Sequence, residues 1–330
     1  MNIEKQTGMK TSTIKKLLRN RINNWLATVT DTVLVERLKR DTIVSGGAIA
    51  SALAGEKIND YDLYFKTYDT ALAVANYYVD KFNTSNADKV APNGRSCNPV
   101  VKCEPRVNSK GISEERIIIY MKSSGVAGEN QSSYSYFESQ PEAEAETFIN
   151  SLRGATELEA AEEVAAEVKN KKLPSYRTVF MSENAITLSD KIQLVIRFHG
   201  EPSEIHENYD YAHAMCYYAY DNDFMSCPAE ALECILSKTL IYKGSLYPVA
   251  SVFRLRKFLE RGWRITAGQI LKILFQISEL DLKDTAVLRE QLLGVDQAYM
   301  HQLLRALENK EAGTRVDATY LAKLIDEIFE

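Results

Sequence analysis

The sequence predicts an α+β fold, a mixed sheet flanked by helices, followed by an all-helical C-terminal domain. Three observations carry that prediction. A hydrophobic run at residues 42–44 enters Ser45-Gly46-Gly47 and leaves it as a short Ala-rich segment ending at Gly55. A second strand-like run, Asn59-Asp60-Tyr61-Asp62-Leu63-Tyr64-Phe65, follows at once. From Pro228 to the end the apolar residues recur at helical rather than alternating spacing.

The elements follow in order. Residues 11–40 read as two amphipathic helices, with Leu17, Leu18, Ile22, Trp25 and Leu26 on one face of the first. The strand, glycine turn and short helix come next, then the second strand over 58–65 and a helix over 69–82. Residues 84–98, with Gly, Pro and Asn, read as a loop. Two strands are expected at 99–105 and 115–121. The Ser/Gly/Gln-rich stretch 125–140 and the Glu/Ala-rich stretch 142–169 read together as a helical insertion over about 126–172. An insertion of that length costs little closure entropy and leaves a sheet intact. Strands are expected at 177–181, 185–188 and 191–198, a helical turn at 203–207 and a strand at 209–217. Helices are expected over 228–243, 248–261, 266–279, 283–293, 296–309 and 317–329. The domain reading is N-terminal helices over 1–40, a core over 41–227 and a helical domain over 228–330.

Bulk properties narrow the function classes. The chain has 330 residues, 45% hydrophobic and 26% charged, with formal charge -5, enough to bury more than one core. No run of eighteen apolar residues suggests a membrane span and no signal-peptide stretch opens the chain, so a cytoplasmic protein is expected. Five cysteines (Cys97, Cys103, Cys216, Cys227, Cys234) include no C-x-x-C pair, which favours reduced thiols over disulfides or structural zinc. Charge is uneven. Residues 1–40 hold nine Lys or Arg against three acids, residues 141–170 eight Glu against two basic residues, and residues 236–264 seven basic residues against one acid. A local basic face can bind a phosphate backbone on an acidic protein.

The chemistry concentrates at the glycine turn. Alternate strand positions share a face, so Asp60 and Asp62 point the same way. A glycine turn feeding a helix N-terminus offers free N–H groups and a positive dipole end to a phosphate. Two carboxylates beside that cradle suit a divalent metal for phosphoryl or nucleotidyl transfer. The arrangement resembles the signature of the nucleotidyltransferase superfamily, nearest to its poly(A) polymerase and CCA-adding branch. There the pattern is roughly Gly-Gly-x-hydrophobic-Arg-Asp-x-Leu-x-Gly, a spacer, then Asp-x-Asp. Gly46, Gly47, Ile49, Leu53, Gly55, Asp60 and Asp62 match, while Ala50 and Ser51 replace the Arg-Asp pair.

The resemblance implies a nucleotidyltransferase-type sheet, an NTP substrate and two Mg2+ ions, with Mn2+ as an alternative. It also implies a third carboxylate on a neighbouring strand. Asp210 is the best candidate, ahead of Asp190, Asp221 and Asp223, the last two in a turn that Asx chemistry explains. The expected activity moves an NMP from an NTP to a hydroxyl, with an RNA 3′ end as favoured acceptor. Asp60, Asp62 and Asp210 are then metal ligands and catalytic residues, and Gly46 and Gly47 hold phosphates.

Ser45 can donate to a phosphate oxygen or satisfy the turn. Residues 253–265 resemble the arginine-rich neck helix of the same branch, one residue shorter before its glycine. Arg254, Lys257, Arg261 and Arg264 fall near helical spacing and can hold a triphosphate or RNA. The competing reading is a surface helix capped by Gly262. Lys238 and Tyr242, one helix earlier, are further nucleotide contacts. His199, His206, His213 and His301 form no metal or catalytic set. Three alternatives stand beside RNA tailing: an AMP-transferase acting on a protein hydroxyl, a nucleotide-sensing module, and an inactive scaffold or interaction protein such as a phage-encoded component.

Overall fold

The computed structural model describes residues 8–85, 99–107, 113–121, 176–181 and 184–282, together with 284, 287, 288, 291 and 323. The insertion expected at 126–172 and the helix expected at 296–309 lie outside these residues. So do most of the helices expected at 283–293 and 317–329. The chain divides into two compact units. One runs to Ile205 and includes Cys216–Cys227, and the other comprises His206–Met215 and the chain from Pro228 onward.

In the first unit, α1 (Thr11–Leu26) and α2 (Thr32–Asp41) form where apolar periodicity places them. Helix α1 buries Ile14, Leu18, Ile22, Trp25 and Leu26, and the Trp25 indole N–H donates to the Tyr78 hydroxyl at 2.7 Å. Helix α2 starts at Asp31, whose carboxylate accepts from the Val33 and Leu34 N–H groups. The chain then forms β1 (Thr42–Ser45), α3 (Gly47–Ala54), β2 (Tyr61–Phe65) and α4 (Tyr68–Ser85). An antiparallel pair, β3 (Pro99–Val107) and β4 (Ser113–Met121), forms a sheet of its own. Next come β5 (Thr178–Met181), β6 (Ala185–Leu188), β7 (Ile192–His199) and the short α5 (Pro202–His206), then β8 (Tyr217–Ala219) and β9 (Phe224–Ser226).

The main sheet is mixed, with seven strands in the order β5-β6-β7-β2-β1-β8-β9. Only β2 and β7 run parallel. One face is apolar: Val44, Tyr61, Leu63, Phe65, Ile186, Ile192, Leu194 and Tyr218 are all at most 4% exposed. The period of two that aims these residues inward aims Ser45, Asp62 and Gln193 to the opposite face.

The second unit holds α6 (Ala229–Ser237), β10 (Thr239–Leu240), α7 (Pro248–Glu260), β11 (Arg264–Ile265) and α8 (Ala267–Ser278). Its core gathers aromatic rings: Tyr211, Tyr242, His213, Phe258 and Trp263. Two expectations are corrected here. The C-terminal part is not all-helical, because the helix expected over 228–243 stops at Ser237. Lys238 turns left-handed (φ 49) and the chain continues as β10, which pairs in parallel with β11. The strand expected over 209–217 is a single bridge, Tyr211 to Tyr242, followed by a 3-10 turn at Ala212–Ala214. Its backbone bonds go to the 241–243 segment, through Ala212 N–H to Ile241 C=O and Lys243 N–H to Asp210 C=O. Among the described residues no helix is long and apolar enough to cross a membrane.

Candidate functional site

The site is built on the turn from β1 into α3. Gly46 has φ 96 and ψ -153, which an L side chain rarely adopts, so this position needs glycine. Gly47 opens the helix, and a Cβ added there would meet nothing within 4 Å. Gly47 itself is exposed, while Ala48, Ile49 and Ala50 of the same turn are buried, and the first N–H groups of α3 have no earlier helical turn to bond. Gly55, left-handed at φ 72, ends the helix. The chain then returns to β2, whose first residues lie beside the last residue of β1.

Register fixes what surrounds that turn. Ser45 pairs with Asp62 and with Tyr217, Asp62 pairs with Gln193, Gln193 with Thr187, and Tyr217 with Ser226. Paired residues share a face. A row of polar side chains (Thr187, Gln193, Asp62, Ser45, Tyr217, Ser226) thus crosses the sheet at the end where the glycine turn lies. Asp60, one step before β2, is exposed, and Asp62 is half-buried.

Burial, and then the negative charge of Asp60, push the Asp62 carboxyl well above the usual carboxylate range. Two hard oxygen donors that burial and repulsion disfavour as a pair of anions fit a divalent cation. Magnesium is commonly bound by one or two carboxylates plus substrate phosphates. Among the described residues no group of three or more His, Cys, Asp or Glu gathers as a metal cage.

A residue missed by the sequence reading stands at the same edge. Asp190 and Lys191 are both left-handed, at φ 64, a costly conformation for residues with side chains. The turn is pinned by Arg21, which donates to the Asp190 carbonyl at 3.1 Å, and by the Tyr176 N–H, which donates to the Asp190 carboxylate at 3.2 Å. Lys191 immediately precedes Ile192, the register partner of Tyr61. Its ammonium donates to the Ile58 carbonyl at 3.1 Å, which holds a positive charge at the entry to the aspartate strand. The polar triplet Ser189-Asp190-Lys191 between two strands was the available signal.

Other predicted residues are employed differently. Ser45 is wholly buried, and its hydroxyl donates to the Cys216 carbonyl at 3.1 Å. Its single proton ties β1 to the start of β8, which corrects the phosphate-donor reading. Asp210 is not on a strand beside β2, whose neighbours at Asp62 carry Ser45 and Gln193. Asp210 is buried in the second unit, where it forms an ion pair with Arg254. Asp190 is committed to its turn. Asp221 pairs with Lys66 at 2.8 Å, and Lys15, Tyr218 and Arg19 hold the Asp223 carboxyl down to about 2.

Tyr242 is fully buried and its hydroxyl donates to Gln276, so its ring is core rather than a platform for a base. The carbonyl of Lys238 accepts from the Arg264 N–H at 2.7 Å. On α7, Lys257 and Arg261 are exposed while Arg254 faces Asp210. The helix ends as a Schellman motif: Gly262 at φ 79, its N–H to Leu259 C=O, the Trp263 N–H to Phe258 C=O, and the Phe258 and Trp263 rings 6.0 Å apart. The glycine-cap reading therefore holds, with the exposed cations beside it. His213 is 2% exposed among aromatic rings, and burial lowers its pKa to about 4, a core histidine.

The family model for the Gabija anti-defense 2 family matches residues 16–238, a span that includes the glycine turn, the aspartate pair and Asp210. The chain belongs to the Gabija anti-defense 2 family. Family membership thus extends from α1 through the end of α6 and covers every strand of the main sheet. Among solved structures, the Thermotoga maritima CCA-adding enzyme complexed with tRNA CCA is similar at 12% identity and a TM-score of 0.35. That similarity covers 87% of this chain and 53% of the other, so the chain spans about half the length of that enzyme. No curated protein matches.

Proposed function

We propose that this chain counteracts Gabija defence as a metal-dependent nucleotidyltransferase, moving an NMP from an NTP to a hydroxyl acceptor. The observation that carries the reading is the junction of two features at one sheet end. The positive-φ Gly46 leads into α3 at an exposed Gly47, and Asp62 on β2, with Asp60 one step before that strand, pairs with Ser45 at the turn. Asp60 and Asp62 would hold Mg2+ or Mn2+, and the N–H groups at Gly47 and the first turn of α3 would receive phosphate oxygens. A cation held there would supply charge neutralisation at the phosphates and a lowered pKa for the attacking hydroxyl. Asp62, whose carboxyl burial and Asp60 push up, would hold the cation as its carboxylate. Lys191 adds a fixed positive charge at the strand entry. Lys257 and Arg261 offer the exposed cations for an RNA 3′ end, the favoured acceptor; transfer to a protein hydroxyl is the alternative acceptor class.

A second reading, an interaction protein that keeps the fold without transfer, is favoured by Gln193. It occupies the register position beside Asp62 where a third carboxylate would serve. The two readings separate on incubation with labelled NTPs, Mg2+ and RNA. Transfer predicts label incorporation that falls by at least about 10³-fold in Asp60→Ala and Asp62→Ala, the order expected when a metal worth several kcal/mol to the transition state is lost. NTP binding without pyrophosphate release under any metal condition would leave a sensor, and no NTP binding would leave the interaction protein.

A further inference from the structure

The β8–β9 hairpin is closed at its base by two cysteines. Tyr217 pairs with Ser226 across an antiparallel ladder, so one further step sets Cys216 opposite Cys227. Directly opposed residues in such a ladder have Cα atoms about 4.5–5.5 Å apart, inside the roughly 4.4–6.8 Å that a disulfide spans. The side chains meet: the two thiols are hydrogen-bonded to each other. Both cysteines are free. Cys216 is buried and Cys227 half-buried. The Ser45 hydroxyl bond to the Cys216 carbonyl holds one partner in place. These cysteines also stand where the chain passes from one unit to the other, at Met215–Cys216 and Cys227–Pro228.

We propose that Cys216 and Cys227 are a reversible redox pair, oxidised to a hairpin-closing disulfide by exchange with a small-molecule disulfide such as oxidised glutathione. Cys227 is the entry thiol. It is the more accessible, and the hydrogen bond from Cys216 holds it down to about 7 while the same bond and burial push Cys216 up. The Cys227 thiolate attacks one sulfur of the small disulfide. That S–S bond breaks, a mixed disulfide forms, and one thiolate leaves and takes a proton from solvent. Cys216 then loses its proton and attacks the Cys227 sulfur. A second small thiolate departs and the Cys216–Cys227 bond closes. The two protein thiols lose two electrons in all, and the small disulfide gains them as two thiols. This inference does not depend on nucleotidyl transfer.

The test uses the full chain, equilibrated across a series of reduced-to-oxidised glutathione ratios, quenched by alkylation and mapped by mass spectrometry. The expected result is a cross-linked peptide joining Cys216 to Cys227 that grows with the oxidised fraction and disappears with dithiothreitol. In Cys216→Ser, Cys227 lacks its resolving partner, so its glutathione adduct should persist about tenfold longer or more than in the wild type. The proposal is overturned if both thiols remain alkylatable at every ratio, if the cross-link joins other cysteines, or if the adduct is no longer-lived in Cys216→Ser. Should that variant fail to fold, the wild-type map alone decides.

Discussion

Two aspartates stand at opposite ends of the paired strands β1 and β2, and the protein treats them in opposite ways. Asp41, just before β1, is 2% exposed, yet Arg40 pairs with it at 2.8 Å and the Thr67 and Thr70 hydroxyls donate to it. Burial alone would raise its pKa, but the bonds from Arg40, Thr70 and Thr67 outweigh burial and lower it. Asp62 lies at the other end, beside Ser45 and the glycine turn. Burial and Asp60 act on it, and both raise it. The first carboxylate is neutralised from within the fold, and the second is held against its charge. The difference marks Asp41 as structural and leaves Asp62 held against its charge, as the proposed cation site requires.

The comparison can be broken most severely at Asp41. Asp41→Ala strands the buried Thr70 hydroxyl and should lower unfolding free energy by about 3 kcal/mol in urea titrations. A neutral result would remove its structural role. The signs of the pH dependence also oppose each other. A lowered pKa gives Asp41 a stabilising contribution that is full above the ordinary value of 3.8 and is lost as pH falls through its folded pKa. A raised pKa gives Asp62 a contribution present below 3.8 and lost as pH rises through its folded value.

Asp62→Asn should therefore stabilise the metal-free protein at pH 8, where the wild-type carboxyl is driven to ionise, with the gain vanishing near pH 4. Equal stability changes at both pH values would show that Asp62 is not held against its charge. Mg2+ should raise the melting temperature of the wild type and not that of Asp62→Asn. The smallest expected effect is at Ser45. Ser45→Ala should cost about 1 kcal/mol for one buried hydrogen bond and leave NTP affinity unchanged, because its proton is already given to Cys216.

Local chemistry made the first half of the site legible in the sequence. The Gly46-Gly47 turn and the Asp60/Asp62 alternation are fixed within twenty residues of chain, where positive φ and period two act directly. Helices α1, α2, α4, α7 and α8 and strands β6 and β7 were readable from apolar spacing for the same reason. The misreadings were all long-range. Residues 209–217 have strong strand propensity, yet their partners are residues 241–243, and no local pattern names a partner thirty residues away. Tyr242 reads as an aromatic available for stacking until tertiary packing buries it. Asp41 carries no signal in the sequence, because the threonines that make it structural, Thr67 before α4 and Thr70 in its first turn, lie beyond β2. Lys191 owes its position to a strained turn held in part by Arg21, far off in sequence, and by the backbone of Tyr176.

The most direct test of the proposed cation site at Asp60 and Asp62 is a Mn2+ titration followed by electron paramagnetic resonance, with a non-hydrolysable NTP present. Wild-type protein and a folded Asp41→Asn variant should bind Mn2+ alike, and Asp62→Asn should bind at least about tenfold more weakly, a loss of roughly 1.4 kcal/mol or more. Wild-type protein that takes up no Mn2+, or an Asp62→Asn variant that binds it as well as the wild type, would contradict the account.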